Sequence, residues 1–190
     1  MNENIETVEN QYINENNDKF NYLYPSLNDP FFNIKISEKK EFYDTKMDIK
    51  VENVEEEAER LINTPFELTP HQMFIKNYLS FQTPYNSLLL FHGLGTGKTC
   101  SSIGVAEEMR KYMGYIGIKN RIIIVASPNV QENYRSQLFD ERKLKLVNNK
   151  WNYNGCVGNN ILKEINPMNL NLTKEKVISL VNRLININYL

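Results

Sequence analysis

Two stretches of the chain carry unbroken apolar runs, residues 87–91 (SLLLF) after Ser87 and residues 121–126 (RIIIVA) after Arg121. Short continuous runs of this kind predict strands buried on both faces, as in a parallel sheet. Between them Ile103, Ala106, Met109 and Met113 recur at helical spacing, predicting a helix from Lys98 to about Met113 with Gly114 as its stop. Strand, turn, helix and strand make a βαβ unit, whose crossover is right-handed. The expected fold class is therefore α/β, the beginning of a doubly wound sheet.

Helical patterns flank this unit. In LTPHQMFIKNYL, Thr69 is an N-cap, Pro70 occupies the first helical position and Gln72 stands three residues after the cap, so a helix is expected over about 70–80. Leu68 and Met73 are spaced for a hydrophobic staple. In SPNVQENYRSQLF, Ser127 caps, Pro128 follows, and Val130, Tyr134 and Leu138 share a face. Thr173 caps a last helix with Val177, Leu180, Val181, Leu184 and Ile185 as its apolar stripe. Residues 146–170 show no period that assigns them. Residues 55–60 read as a charged helix. The aromatic, proline-containing residues 22–45 suit an extended segment lying along a domain surface. Residues 1–21, rich in Asn and Glu with no apolar period, read as a disordered tail.

Composition adds little to this picture. A chain of 190 residues, 41 % of them apolar, holds one ordinary core plus a tail. Charge is uneven: residues 1–60 carry 15 acidic against 7 basic side chains, and the remainder 8 against 15. A basic globular part is compatible with a polyanionic partner and equally with a solvated basic face. Cys100 and Cys156 fit no metal-ligand spacing, and with an acidic, polar amino terminus in place of an export signal they are expected to be reduced thiols. No apolar run approaches the roughly 18 residues of a membrane span, so a soluble chain with no membrane partner is expected.

The chemistry is concentrated between the first apolar stretch and the helix that follows. HGLGTGKT, residues 92–99, supplies Gly93, Gly95 and Gly97 for a tight turn whose amides a phosphate can approach, and places Lys98 and Thr99 at the start of the helix. Amides and helix terminus form an anion nest, the ammonium of Lys98 adds a point charge, and the Thr99 hydroxyl suits Mg2+. The predicted ligand is ATP with Mg2+, cradled by Gly93, Leu94, Gly95, Thr96, Gly97, Lys98, Thr99 and Cys100, with Lys98 and Thr99 the catalytic pair. His92 occupies a position where Gly or Ala is usual, and packing beside the loop is its plainest role. Gln72 has two readings: the capping box alone accounts for it, and its amide could also meet an adenine edge. A hydrolase of this kind needs an acidic pair at the end of a buried strand. The only Asp-Glu dipeptide, Asp140-Glu141, follows a polar helical lead-in and reads as a decoy.

LTPHQMFIKNYL, LLLFHGLGTGKTC and IIIVASPNVQENYRSQLFDERKL together resemble superfamily 2 helicases. Within these the resemblance is to the Swi/Snf-like ATPases of nucleocytoplasmic large DNA viruses, of the poxvirus and mimivirus early transcription factor type. It covers residues 22–170. The resemblance implies a partial RecA-like P-loop lobe over 66–190, preceded by an extension over 22–65. It implies an adenine contact for Gln72, motif I for 93–99, and backbone contacts of motif Ia to nucleic acid from Ser127, Pro128 and Asn129, the proline being displaced by one position from the family pattern. It further implies a nucleic-acid partner, DNA before RNA, transcription-complex subunits, and a location in the virion or the host cytoplasm or nucleus. Motif II and a second lobe have no counterpart before Leu190, so the chain is expected to be an amino-terminal portion or truncated product of a larger ATPase, hydrolysing ATP poorly alone. Two functions from different classes follow: a nucleic-acid motor in viral transcription, or a non-catalytic nucleotide-binding module. A small-metabolite kinase is disfavoured, because a helix with Gln72 precedes the first strand and nothing resembles a lid.

Overall fold

Capping chemistry and apolar periodicity account for most of the elements. A computed structural model describes residues 23–46, 53–64, 66–93 and 95–189. In chain order these residues form α1 (Phe32–Glu38), α2 (Lys40–Tyr43), α3 (Val54–Asn63), α4 (Pro70–Tyr78), α5 (Lys98–Tyr115), α6 (Pro128–Leu138), β1 (Leu144–Val147), β2 (Lys150–Tyr153), α7 (Asn160–Ile165) and α8 (Lys174–Asn188). The fold is mixed α/β and mostly helical, and the two strands pair antiparallel with Leu144 opposite Tyr153. The disordered tail expected over 1–21, and Leu94 of the glycine loop, lie outside the described residues.

The expected parallel sheet does not form among the described residues. Stretches 87–91 and 121–126 run without ladder bonds, apart from a parallel bridge between Ile122 and Tyr189. Ile122, Ile124 and Ala126 are half-buried, whereas Ile123 and Val125 on the other face are exposed, as are Leu89 and Phe91. A strand buried on both faces draws its stability from flanking strands and from a layer on each side; here only one side of 121–126 is covered.

Two further expectations are corrected and an unassigned stretch is resolved. Residues 22–45 were expected to be extended, yet they fold into α1 and α2, because Ile36 and Phe42 can be buried together against Tyr78 and Tyr85. Tyr78 and Tyr85 stack with ring centres 4.5 Å apart, Tyr85 donates to Pro25 O at 2.7 Å, and Asn77 donates to Glu41 O at 2.7 Å, fastening this extension to α4. The helix after the glycine loop passes through Gly114 and ends at Tyr115, two residues before Gly117, which takes φ +75°. Ile118 N donates to Met113 O and Gly117 N to Gly114 O, the pairing of a Schellman motif, which needs the left-handed residue at 117 and not at 114. Residues 146–170, left unassigned by pattern, contain most of the hairpin and α7.

The main core lies between α5, α6, the hairpin, α7 and α8. Ile103, Leu138, Tyr153, Ile161, Val177 and Val181 are all 2 % exposed or less. The apolar stripe predicted for α8 supplies Val177 and Val181, and Thr173 accepts from Lys176 N as its cap. No helix among the described residues is long and apolar enough to cross a membrane.

Candidate functional site

The glycine loop is framed by two helix starts. At the first, the Thr69 amide donates to Gln72 Oε1 at 3.0 Å, so the capping box forms, and Gln72 is buried at 5 % exposure. Its other end reaches across the chain: Gln72 Nε2 donates to Gly97 O at 3.3 Å. Gln72 therefore caps α4 and holds the loop at once, a double role that spacing alone does not disclose. Gly97, the N-cap of α5, has φ +81°, and a Cβ there would collide with Gln72 Nε2. This position requires glycine on two independent grounds.

The loop is closed by its own side chains. Lys98 Nζ donates to His92 O at 3.0 Å and Gly93 O at 2.7 Å, and Thr96 Oγ1 donates to Gly93 O at 3.0 Å. Among the described residues no hydrogen bond uses the amides of Gly95, Thr96, Gly97, Lys98, Thr99 or Cys100; the first bond donated is Ser101 N to Gly97 O at 3.0 Å. These unpaired donors stand at the positive end of the 18-residue helix α5. The Thr99 hydroxyl has no protein partner among the described residues. Donors, ammonium and hydroxyl thus fit a polyphosphate with its divalent cation, and a lysine lying on main-chain carbonyls can swing to a phosphate without breaking an ion pair.

Histidines line the α4 side of the loop. His71 lies 3.0 Å through Nε2 from Thr96 O and 3.1 Å through Nδ1 from Thr69 Oγ1. Its ring meets that of His92 edge to face at 5.8 Å, and His92 Nδ1 is buried without a hydrogen-bond partner. His92 packs beside the loop, as its plainest reading had it. His71 was not singled out by sequence, since nothing in its spacing signals a partner 25 residues away.

The remaining candidates lie apart from the loop. Ser127 holds the N-cap position of α6 without a side-chain capping bond, and Ser127, Pro128 and Asn129 are all exposed, with Gln131 Nε2 donating to Ala126 O at 2.6 Å just behind them. Asp140 caps a 3-10 turn over Glu141–Lys143 and is paired with Arg142, whose hydrogen bonds pull its carboxyl down to about 2. That is a capping and ion-pairing role, in keeping with a decoy.

Behind the loop, α5 carries a buried polar network that pattern reading missed. Arg110 bonds both carboxylate oxygens of Glu107 at 2.9 and 2.8 Å and both of Glu164 at 2.7 and 2.6 Å, and Tyr189 donates to Glu107 Oε1 at 2.5 Å. Burial opposes the charge of Arg110, yet the bonds to Glu164 and Glu107 outweigh it and hold the guanidinium above its ordinary range. Burial, together with Glu107, pushes the Tyr189 hydroxyl up. The signal available in sequence was the i, i+3 pair of Glu107 and Arg110 on the face of a helix otherwise apolar.

The two cysteines are also corrected. Expected as separate thiols, Cys100 and Cys156 are joined, with Cα atoms 5.1 Å apart. The reduced expectation rested on compartment, whereas the fold brings the first turn of α5 against the turn after β2.

Comparison with known proteins finds relatives among viral proteins. The chain is 30 % identical over 123 residues to a protein of Acanthamoeba polyphaga mimivirus provisionally named an ATP-dependent RNA helicase, a match covering 62 % of this chain and 11 % of that one. A second mimivirus protein of the same provisional name is 36 % identical over 73 residues, covering 38 % and 12 %. A provisionally named helicase of Invertebrate iridescent virus 3 is 31 % identical over 123 residues, covering 61 % and 12 %. The chain's relatives are thus helicase-named proteins of large DNA viruses, and the chain spans 11 to 12 % of the length of these three. No protein-family profile and no solved structure matches it.

Proposed function

We propose that this chain is the ATP-binding portion of a nucleic-acid-dependent ATPase of the helicase type, working in viral transcription. The observation that carries the reading is the run of unpaired amides at Gly95, Thr96, Gly97, Lys98, Thr99 and Cys100, at the start of α5 beside the Lys98 ammonium. In this reading Gly93, Leu94 and the six amides cradle the phosphates, Lys98 leaves the carbonyls of His92 and Gly93 for the terminal phosphates, and the Thr99 hydroxyl takes one position on Mg2+. Bound magnesium neutralises charge on the phosphates. Gln72, fixed at both ends of its amide by Thr69 and Gly97, offers its remaining lone pair and second N–H to an adenine edge, so capping and base reading are compatible. Ser127, Pro128 and Asn129 present an exposed helix start to a nucleic-acid backbone, which would be contacted without sequence preference. The names of the relatives, all helicases, support this class.

Hydrolysis needs a carboxylate to orient water and a positive group from a second lobe. Asp140 is committed to Arg142, so this polypeptide alone turns over well below about 1 per second. The test is ATPase activity of the longest natural product with and without single-stranded DNA or RNA, against Lys98→Ala. Stimulation lost in the variant supports the motor, and the preferred strand identifies the partner. A natural product that binds ATP but shows no stimulated hydrolysis overturns the motor in favour of a nucleotide-binding module.

A further inference from the structure

Cys100 and Cys156 lie 56 residues apart in sequence and meet at the base of the glycine loop, with Cα atoms at a spacing of 5.1 Å that a disulfide spans without backbone movement. The two are unequally placed. Cys100 is the third residue of α5 and half-buried, and the positive end of the helix dipole favours negative charge on its sulfur when the pair is reduced. Cys156 is buried at 6 % exposure in the turn after β2, and its sulfur lies 3.7 Å from Gln137 Oε1, an acceptor for the reduced thiol. One cysteine is the less buried and sits at the helix start, the other is buried and in reach of the first. That is the arrangement of an attacking and a resolving thiol.

We propose that Cys100 and Cys156 are a reversible thiol–disulfide pair that locks the first turn of α5, and with it the nucleotide loop, onto the hairpin and α7. The Cys100 thiolate attacks a low-molecular-weight disulfide, forming a mixed disulfide and expelling one thiolate. The Cys156 thiolate then attacks the Cys100 sulfur, forming the internal bond and expelling the second. Two protein thiols are oxidised, one external disulfide is reduced to two thiols, and the two protons pass to the leaving thiolates. Because the Cys100 amide is one of the unpaired loop donors while its side chain is the anchored group, the lock holds the nest against fraying and prepares it for phosphate. This last consequence rests on the nucleotide reading; the pair itself does not.

The experiment equilibrates the full chain with oxidised or reduced glutathione and reads free thiols after denaturation, melting temperature and ATP affinity. Oxidised protein is expected to show no free thiol and reduced protein two, with a melting temperature lower by roughly 5 to 10 °C on reduction, as a closed loop of this length implies. ATP should bind about threefold more tightly to the oxidised form. Cys156→Ser should melt, and bind ATP, like the reduced protein under both conditions. Two thiols still free after oxidised glutathione, two glutathione adducts, or an unchanged melting temperature would overturn the pair. Equal ATP affinity in both forms would overturn the lock on the loop. ATP binding absent from both forms would instead sink the nucleotide reading, leaving the thiol count and melting shift to judge the pair.

Discussion

The first turn of α5 lies between the extended stretches 87–91 and 121–126 along the chain, yet the turn is braced by side chains around it and the stretches are not. Around the turn, Gln72, Thr96 and Lys98 each make hydrogen bonds that fix the loop, and Ile103 one turn further on is fully buried. In the stretches, Phe91 is 94 % exposed and Val125 92 %, with no ladder bonds along either apart from the Ile122–Tyr189 bridge. The difference is one of range. A helix start and a glycine turn are completed by residues within a few positions plus one neighbouring helix, whereas a central strand is completed only by other strands and two covering layers.

The contrast is tested most strongly at the buried network behind the loop. Arg110→Met should destabilise the protein by about 4 kcal/mol, because it leaves Glu107 buried and unpaired; urea unfolding reads the loss. Ile103→Ala follows at about 3 kcal/mol, as a large-to-small change at a fully buried site. Gly97→Ala should cost about 2 kcal/mol, since its φ of +81° and the clash with Gln72 act together. Val125→Thr, at the other pole, should change stability by less than about 0.5 kcal/mol. A Val125 cost equal to that of Ile103 would show that 121–126 is packed in solution and erase the distinction.

Acid supplies the smallest effect. Glu164 is held below the ordinary carboxylate range by the hydrogen bonds from Arg110, so its contribution is present above the unfolded value of 4.5 and is lost as pH falls below it. Stability should decline below pH 4.5, and that decline should be shallower in Arg110→Met.

Legibility in the sequence followed the same division. The start of α4, the glycine loop, α6 and the α8 stripe were readable because their determinants, Thr69 with Gln72, Gly97 with Lys98, Ser127 with Pro128 and Thr173 with Val177, lie within one or two turns. The parallel strands were misread because an unbroken apolar run records a preference for burial on both faces and not the presence of partners. Spacing predicts Gly114 as the stop of α5, whereas Gly117 is the glycine that adopts positive φ, which pattern does not reveal. Residues 22–45 read as extended because the aromatic partners that make α1 and α2 worth forming, Tyr78 and Tyr85, lie some 40 residues away. Of the candidate site, the glycine turn and the helix start at Lys98 were legible locally, while their supports from His71, from the Arg110 network and from Cys156 depend on contacts 25 to 82 residues distant.

The central claim is that unpaired main-chain donors at the head of α5, together with one ammonium, make a triphosphate site. Isothermal titration of this chain with ATP and Mg2+, alongside Lys98→Ala of unchanged circular dichroism, measures it directly. The account predicts saturable binding at a single site, at least about tenfold weaker in the variant, the scale of one lost charge-assisted hydrogen bond. Equal affinity in the two proteins, or no heat of binding from either, would contradict it.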